Sequence, residues 1–310
     1  MGTRNSSRAA SWPIRWPSLG LLAAGLLLLS LAQPSPQLKP QSSPFGAADA
    51  CGTPIAKASG GFWTCTFADE FDGTSLNRAK WSVLTTAREG IRHGPECYLD
   101  SPDNVAVRDG SLVLTARDSG TARHCHPGVF GDPVTPYTSG EVSTLGKFSQ
   151  AYGRVEIRAA FPDVHVPGLH SALWMWPDQQ SYGPWPASGE IDIGEFYTAY
   201  PDRVIPYLHH ANIPGDPTVT NNFCMVADPS AFHDYTLVWA PGHIIVAIDG
   251  QTCVDHLVRS TVPPSTRAPF DKPFFINLTQ ALGMAGRNGF SAATTPLPAS
   301  LTVDYVRVWS

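Results

Sequence analysis

The segment Ser188-Gly189-Glu190-Ile191-Asp192-Ile193-Gly194-Glu195 places three carboxylates close together, bracketed by Pro186 and Pro201. Strand alternation puts Glu190 and Asp192 on one face and Ile191 and Ile193 on the opposite, core-facing one. Continued strictly, it carries Glu195 to the isoleucine face, where an unpaired charge is costly. One inserted residue, a β-bulge at Ile193-Gly194, returns Glu195 to the Glu190 face, and glycine is a residue type that tolerates such a kink. Three carboxylates on one partly desolvated face cannot all ionise freely, so their pKa values are driven apart. That leaves one anionic nucleophile and one protonated acid, the pair that cleaves a glycosidic bond. Side chains from one short strand predict the roughly 5 Å separation that goes with retention rather than inversion. The same spacing also fits a polar strand face, or one that holds a cation.

The surrounding sequence supplies strands to position such a face. Helical signals are nearly absent, and short period-two runs alternate with Gly and Pro breaks. Ser111–Ala116 is one run. In Gly153–Ala159, Val155, Ile157 and Ala159 share a face opposite Arg154, Glu156 and Arg158. In His233–Trp239, Tyr235, Leu237 and Trp239 group together. Ile244–Ile248 runs into Asp249-Gly250, a tight-turn signal, and then Cys253–His256. Leu301–Trp309 reads as a long strand with apolar residues on both faces. The pattern predicts an all-β fold of two antiparallel sheets packed as a sandwich.

The ends and the composition bound the setting. Arg4, Arg8 and Arg15 precede an apolar run over 19–32 that closes on Ser30-Leu31-Ala32, so residues 1–32 read as a signal peptide. That run is short for a spanning helix, although an uncleaved anchor is the alternative. Residues 33–50, rich in Pro, Ser and Gln, read as a disordered linker, and residues 51–310 as a single domain. The leader holds three Arg and no acid, so its removal moves the formal charge from -5 to -8. Such a body argues against nucleic acid and anionic membranes as partners and suits a neutral substrate. Six cysteines follow the leader, and an even count in an exported chain reads as disulfides. Sequence alone leaves 15 pairings open. Neighbour pairing, Cys51–Cys65, Cys97–Cys125 and Cys224–Cys253, is the preferred one. Zinc is the weaker alternative, since no close Cys-x-x-Cys pair exists.

From Phe67 to Trp309 the chain resembles glycoside hydrolase family 16. The laminarinase-like branch carries Glu-x-Asp-x-x-Glu with a bulge, present here as Glu190-Ile191-Asp192-Ile193-Gly194-Glu195. Supporting blocks follow in order: Phe67–Gly73, Asn104–Leu112, Tyr152–Glu156, Ala172–Pro177, Ile248–Gly250 and Val303–Trp309. The resemblance implies a concanavalin A-like jelly roll with a cleft for a polysaccharide across its concave face, while the signal reading makes the protein secreted. It also implies retaining hydrolysis of internal β-1,3 or β-1,4 bonds in glucans or galactans, with β-1,3-glucan the preferred substrate. A galactanase, a transglycosylase or a lectin-like glucan-binding protein are the alternatives on the same fold. By position, Glu190 is the nucleophile, Glu195 the acid/base and Asp192 the group that balances the proton between them. His209 matches an auxiliary histidine, with His210 as the competing choice. Trp185 and Trp174 are the candidate sugar-stacking rings. No cofactor is required, but Glu70, the Gly110 carbonyl and Asp304 match a structural Ca²⁺ site, equally readable as a solvated acidic edge. A monomer is expected. Gly194 stands where a bulkier residue is usual, which predicts a wider cleft beside the acid.

Overall fold

Period-two runs separated by turn residues become strands throughout the computed structural model, which describes residues 50–126, 132–210, 216–258 and 268–310. The signal and nearly all of the linker lie outside the described residues. Among the described residues no helix is long and apolar enough to cross a membrane. Those residues belong to one contact unit, Phe45–Ser310.

In chain order the strands are β1 (Cys65–Asp69), β2 (Ser82–Leu84), β3 (Cys97–Tyr98), β4 (Val105–Arg108), β5 (Ser111–His124) and β6 (Val134–Ser139). Then come β7 (Glu141–Ser143), β8 (Gly153–Ala160), β9 (Leu169–Pro177), β10 (Glu190–Tyr197) and β11 (Ile205–His209). The last are β12 (His233–Ala240), β13 (His243–Ile248), β14 (Gln251–Leu257), β15 (Phe274–Leu282) and β16 (Ala299–Trp309). One sheet runs β14-β13-β12-β8-β16-β5-β6-β3, with β1 added on β16 and β4 on β5. The other runs β11-β10-β9-β15-β7-β2 and carries the three clustered acids. Pairing is antiparallel as expected, except for the short parallel contact of β3 with β6.

The facing surfaces of the two sheets form one apolar core. Ile191, Ile193 and Phe196 of β10 meet Val155 and Ile157 of β8 and Tyr235 and Leu237 of β12 in it. Phe161 and Phe196 stack across the gap at 5.0 Å between ring centres. The Asp249-Gly250 step turns β13 into β14 with both residues at positive φ, as a two-residue hairpin demands. The long final strand does not present two apolar faces. Its register shifts between Val303 and Tyr305, so Leu301 and Val303 lie on the same buried side as Val306 and Val308. The bulge, not a two-sided core, explains the doubled apolar pattern.

All three disulfides match the neighbour pairing: Cys51–Cys65, Cys97–Cys125 and Cys224–Cys253. The third closes one edge of the molecule. Val219–Val226 lies along β11 through Leu208 N–H to the Val219 carbonyl (2.8 Å) and Val204 N–H to the Cys224 carbonyl (3.1 Å). Cys224 is then tied to Cys253 on β14, an edge strand of the opposite sheet.

Candidate active site

The bulge expected in β10 is present and breaks the ladder on both sides. Against β9, Asp192 pairs with Trp174 and Gly194 with the next residue back, Leu173. Against β11, Asp192 pairs with Tyr207 and Glu195 with Ile205, so two residues of β10 oppose the single Pro206. Ile191 and Ile193 are fully buried, and Glu190, Asp192 and Glu195 share the face away from them. Tyr197, two residues on, shares it too.

The reason for glycine at 194 differs from the expectation. Gly194 does not have a positive φ. What the position demands is space, because a Cβ there would lie 2.9 Å from Val204 Cγ1 and 3.3 Å from Tyr235 Cδ1. The absent side chain points into the packed interior, so it does not widen the cleft.

Each carboxylate has its own environment. Trp185 Nε1 donates to Glu190 Oε2 at 2.6 Å, while its ring is half exposed at the cleft rim. Burial pushes the Glu190 carboxyl up to about 7; the Trp185 N–H opposes the rise and the Glu195 charge adds to it. Asp192 is 3% exposed, and burial plus the charges of Glu195 and Glu190 hold its carboxyl well above the ordinary range. Burial also disfavours an ionised Glu195, but here the partners win. His170 Nε2 and the Tyr197 hydroxyl both reach Glu195 Oε1, at 2.9 and 2.6 Å, and bring it below the usual value. The His170 and Tyr197 rings stack with centres 4.4 Å apart, which fixes both donors. Three interacting carboxylates titrate as a set, so the physical statement is where the charge settles. Without substrate it settles on Glu195.

The structure separates the two candidate histidines. His209 Nε2 lies 3.2 Å from Asp192 Oδ2, and the His209 ring stacks on Tyr207. Burial lowers its pKa despite the Glu195 charge, so a neutral imidazole meets a neutral carboxyl. His210 points the other way, against Phe270 and His256 in the interior. Trp174 sits on the β9 face opposite Asp192, its Nε1 donating to Thr279 Oγ1 at 2.9 Å. Trp176 joins it edge to face.

Sequence reasoning did not single out His170, Tyr197, His93, Glu141 or Asn277. Tyr197 was reachable by continuing the alternation from Glu195. His170 keeps period two with Trp174 and Trp176 on β9, and that was its available signal. His93, Glu141 and Asn277 arrive from a loop, β7 and β15, which only the strand order brings together.

The calcium expectation does not fit the side chains. Both Glu70 oxygens are held by Arg307, at 2.8 and 2.7 Å, and Asp304 pairs with Arg158 at 3.2 Å. Among the described residues no group of three or more His, Cys, Asp or Glu side chains is set to hold a metal. A carboxylate already neutralised by a guanidinium is a poor ligand for a hard cation.

A jelly-roll sandwich with a carboxylate-lined sheet face defines a class of sugar-cleaving folds. The model for glycosyl hydrolases family 16 matches residues 97–295, and the chain belongs to that family. It is 30% identical over 283 residues to glucan endo-1,3-beta-glucosidase A1 of Niallia circulans, covering 83% of this chain and 39% of that protein. It is 32% identical over 252 residues to keratan-sulfate endo-1,4-beta-galactosidase of Sphingobacterium multivorum, covering 78% of this chain and 54% of that one. The chain therefore spans about half the length, or less, of these two relatives. The crystal structure of an endo-beta-1,3-glucanase from Pyrococcus furiosus superposes with a TM-score of 0.70 at 29% identity, covering 83% of this chain and 97% of that chain.

Proposed function

We propose that the chain is a secreted, retaining endo-β-glycanase that hydrolyses internal bonds of a β-1,3-linked glucan. The observation that carries this reading is the bulge in β10, which sets Glu190, Asp192 and Glu195 on one face of the sheet. The β-1,3-glucanases among the relatives support the substrate. The three disulfides support an oxidising, extracellular setting. The same proposal takes the protein to be a monomer.

In the mechanism, the Glu190 carboxylate attacks the anomeric carbon while Glu195 gives its proton to the departing oxygen. Water, activated by Glu195, then releases the sugar from Glu190. Productive attack needs charge on Glu190 and a proton on Glu195, the reverse of the substrate-free balance. Substrate entry must therefore exchange the two states, and the neutral Asp192, flanked by both, carries the spare proton. His209 holds the Asp192 carboxyl in place. Trp185 serves twice: its N–H favours the Glu190 anion, and its exposed ring offers an apolar face to sugar C–H groups. His170 and Tyr197 orient Glu195.

A galactan is the second reading, because a keratan-sulfate galactosidase is among the relatives. New reducing ends are to be measured from laminarin, mixed-linkage glucan, agarose and galactan, with wild type and Glu190→Gln. Laminarin cleavage that vanishes in Glu190→Gln is expected. Release from none of the four sinks the hydrolase reading, and activity surviving Glu190→Gln sinks the nucleophile assignment. Accumulation of longer products instead of reducing ends would mark a transglycosylase.

A further inference from the structure

The rung of the β9–β10 ladder that joins His170 to Tyr197 is the last one before the two strands part. β11 stops opposite Glu195, at Ile205, so Tyr197 has a ladder neighbour on one side only. The ends of a ladder open more readily than its middle. Yet these two side chains carry the grip on Glu195, both reaching Oε1, at 2.9 and 2.6 Å. With Oε1 taken, Oε2 is the oxygen left to carry the proton to the departing sugar oxygen. Its aim depends on how firmly that rung is held.

What closes the rung lies outside both strands. A short 3₁₀ turn, Gly286–Asn288, follows β15, and the Asn288 side chain reaches the backbone beside each member of the pair. Its Oδ1 accepts from Ala199 N–H at 2.9 Å and, more loosely, from Gly168 N–H at 3.5 Å. Its Nδ2 donates to the Leu169 carbonyl at 2.8 Å. Two backbone donors on one amide atom and a carbonyl on the other fix which way the amide faces. Thr198 adds a second tie, donating its N–H to the Leu169 carbonyl at 3.2 Å and accepting from Leu169 N–H on its hydroxyl at 3.0 Å. The turn itself is seated on the end of β15. Gly283 N–H donates to the Gly168 carbonyl at 2.8 Å, and Phe290 N–H to the Gly283 carbonyl at 2.9 Å. A Cβ at Gly283 would collide with the Asn288 carbonyl, so the close seating depends on glycine there. Asn288 thus ties the ends of β9, β10 and β15 together where the ladder runs out.

We propose that Asn288 is a positioning residue for the acid/base: by clamping the backbone beside His170 and Tyr197 it keeps both donors on Glu195 Oε1 and aims Oε2 at the leaving oxygen. This rests on the hydrolase reading above and adds a residue to its machinery. Asn288→Asp keeps the acceptor that Ala199 needs but sets a carboxylate oxygen against the Leu169 carbonyl, where two acceptors repel. Asn288→Ala removes all three bonds. Gly283→Ala leaves the amide intact and displaces the turn that carries it.

The test separates help with leaving-group protonation from a general loss of structure. Two substrates present the same β-1,3-linked sugar. Laminarin oligosaccharides have a departing oxygen that needs a proton, whereas the 2,4-dinitrophenyl glycoside of laminaribiose releases a phenolate that does not. Asn288→Asp and Asn288→Ala should lower kcat/KM for the oligosaccharides about 10- to 100-fold, the scale of a catalytic group misplaced by up to about 1 Å. On the dinitrophenyl substrate kcat/KM should stay within about threefold of wild type, because no general acid is called for. Gly283→Ala should show the same split. A merely structural role would lower both substrates together. Hydrogen exchange gives a readout free of turnover: in Asn288→Ala the amides of residues 168–170 and 197–199 should exchange faster, while those of β8 and β12 stay protected. Equal losses on the two substrates, no loss on either, or unchanged exchange at those amides overturns the proposal. If wild type cleaves neither substrate while exchange quickens as stated, Asn288 still holds the rung and it is the hydrolase reading that fails.

Discussion

Deleting Gly194 is the sharpest perturbation of this site, because both ladders of β10 say what should follow. Against β9, residues 193 and 194 together oppose Leu173, and against β11 they oppose Pro206. Removing one residue leaves Ile193 opposite both and keeps Glu195 opposite Ala172 and Ile205. The strand becomes regular, Glu-Ile-Asp-Ile-Glu, with its acids still on the cleft face and Phe196 still in the core. The variant gains a regular ladder position worth about 1 kcal/mol and loses the local bend, so stability should change by no more than about 1 kcal/mol. Substitution is the harsher change. A Cβ at 194 already sits 2.9 Å from Val204 Cγ1, and Gly194→Met adds a longer chain into a filled interior. Overpacking of this kind costs about 1–3 kcal/mol. At about 2–4 °C per kcal/mol for a domain of this size, Gly194→Met should melt about 2–12 °C lower, while the deletion stays within about 4 °C of wild type. Melting curves and reducing-end release on laminarin are the assays, and the deletion should keep activity within about tenfold. A deletion variant that folds normally but is inert would refute the reasoning. It would mean that the bend itself, rather than the face, positions Glu195.

Three further outcomes follow from the electrostatics and the cross-links. On the proposed mechanism Glu190 attacks as the anion, and its carboxyl is pushed up to about 7, so kcat/KM should fall as pH drops through about 7 rather than through an ordinary glutamate value. Trp185→Phe removes a donor that favours the anion and should move that limb higher; a limb that stays put contradicts the role given to Trp185. His210 is buried and neutral, its pKa lowered to about 4 chiefly by burial, with His256 adding to the effect. Below about 6.5 the unfolded chain takes up a proton that the folded chain does not. Stability is therefore complete above that pH and declines towards pH 4 by about 3 kcal/mol, a slope that His210→Leu should flatten in urea titrations. Opening Cys97–Cys125, whose sequence separation is 28, with a double serine variant should cost about 3–4 kcal/mol by denaturant unfolding. An unchanged midpoint would deny that this loop is free in the unfolded chain.

The carboxylate strand was legible because two local rules were enough for it: side chains alternate, and charge avoids the core. Together they fixed the face of Glu190 and Asp192 and required the bulge that returns Glu195 to it. The direction in which Gly194 points depends on Val204 and Tyr235, which sit behind it from other strands, and no local rule reports that. The same limit applies to Asn277 and Glu141, which reach the cleft only because β15 and β7 follow β9 in the sheet, and to His93, a loop residue bonded to Glu141. Glu70 and Asp304 were readable as acids, but not as acids already claimed by Arg307 and Arg158 from β16 and β8. In β16 the doubled apolar pattern was seen and the offset at Asp304 was not. A one-residue shift and a two-faced strand look alike until the partner strands are known.

The segment tied down by Cys224–Cys253 has a consequence for the molecule's dealings with its own copies. β11 lies at the border of the catalytic sheet, and its outer backbone groups would otherwise offer a template for another chain to add a strand. Val219–Val226 occupies that border, and the covalent tie to β14 keeps it there. Reduction would then first uncover a sticky margin one strand away from Glu190, and loss of solubility would precede loss of the core. An oxidising surrounding, on this view, protects the protein against self-assembly as much as against unfolding.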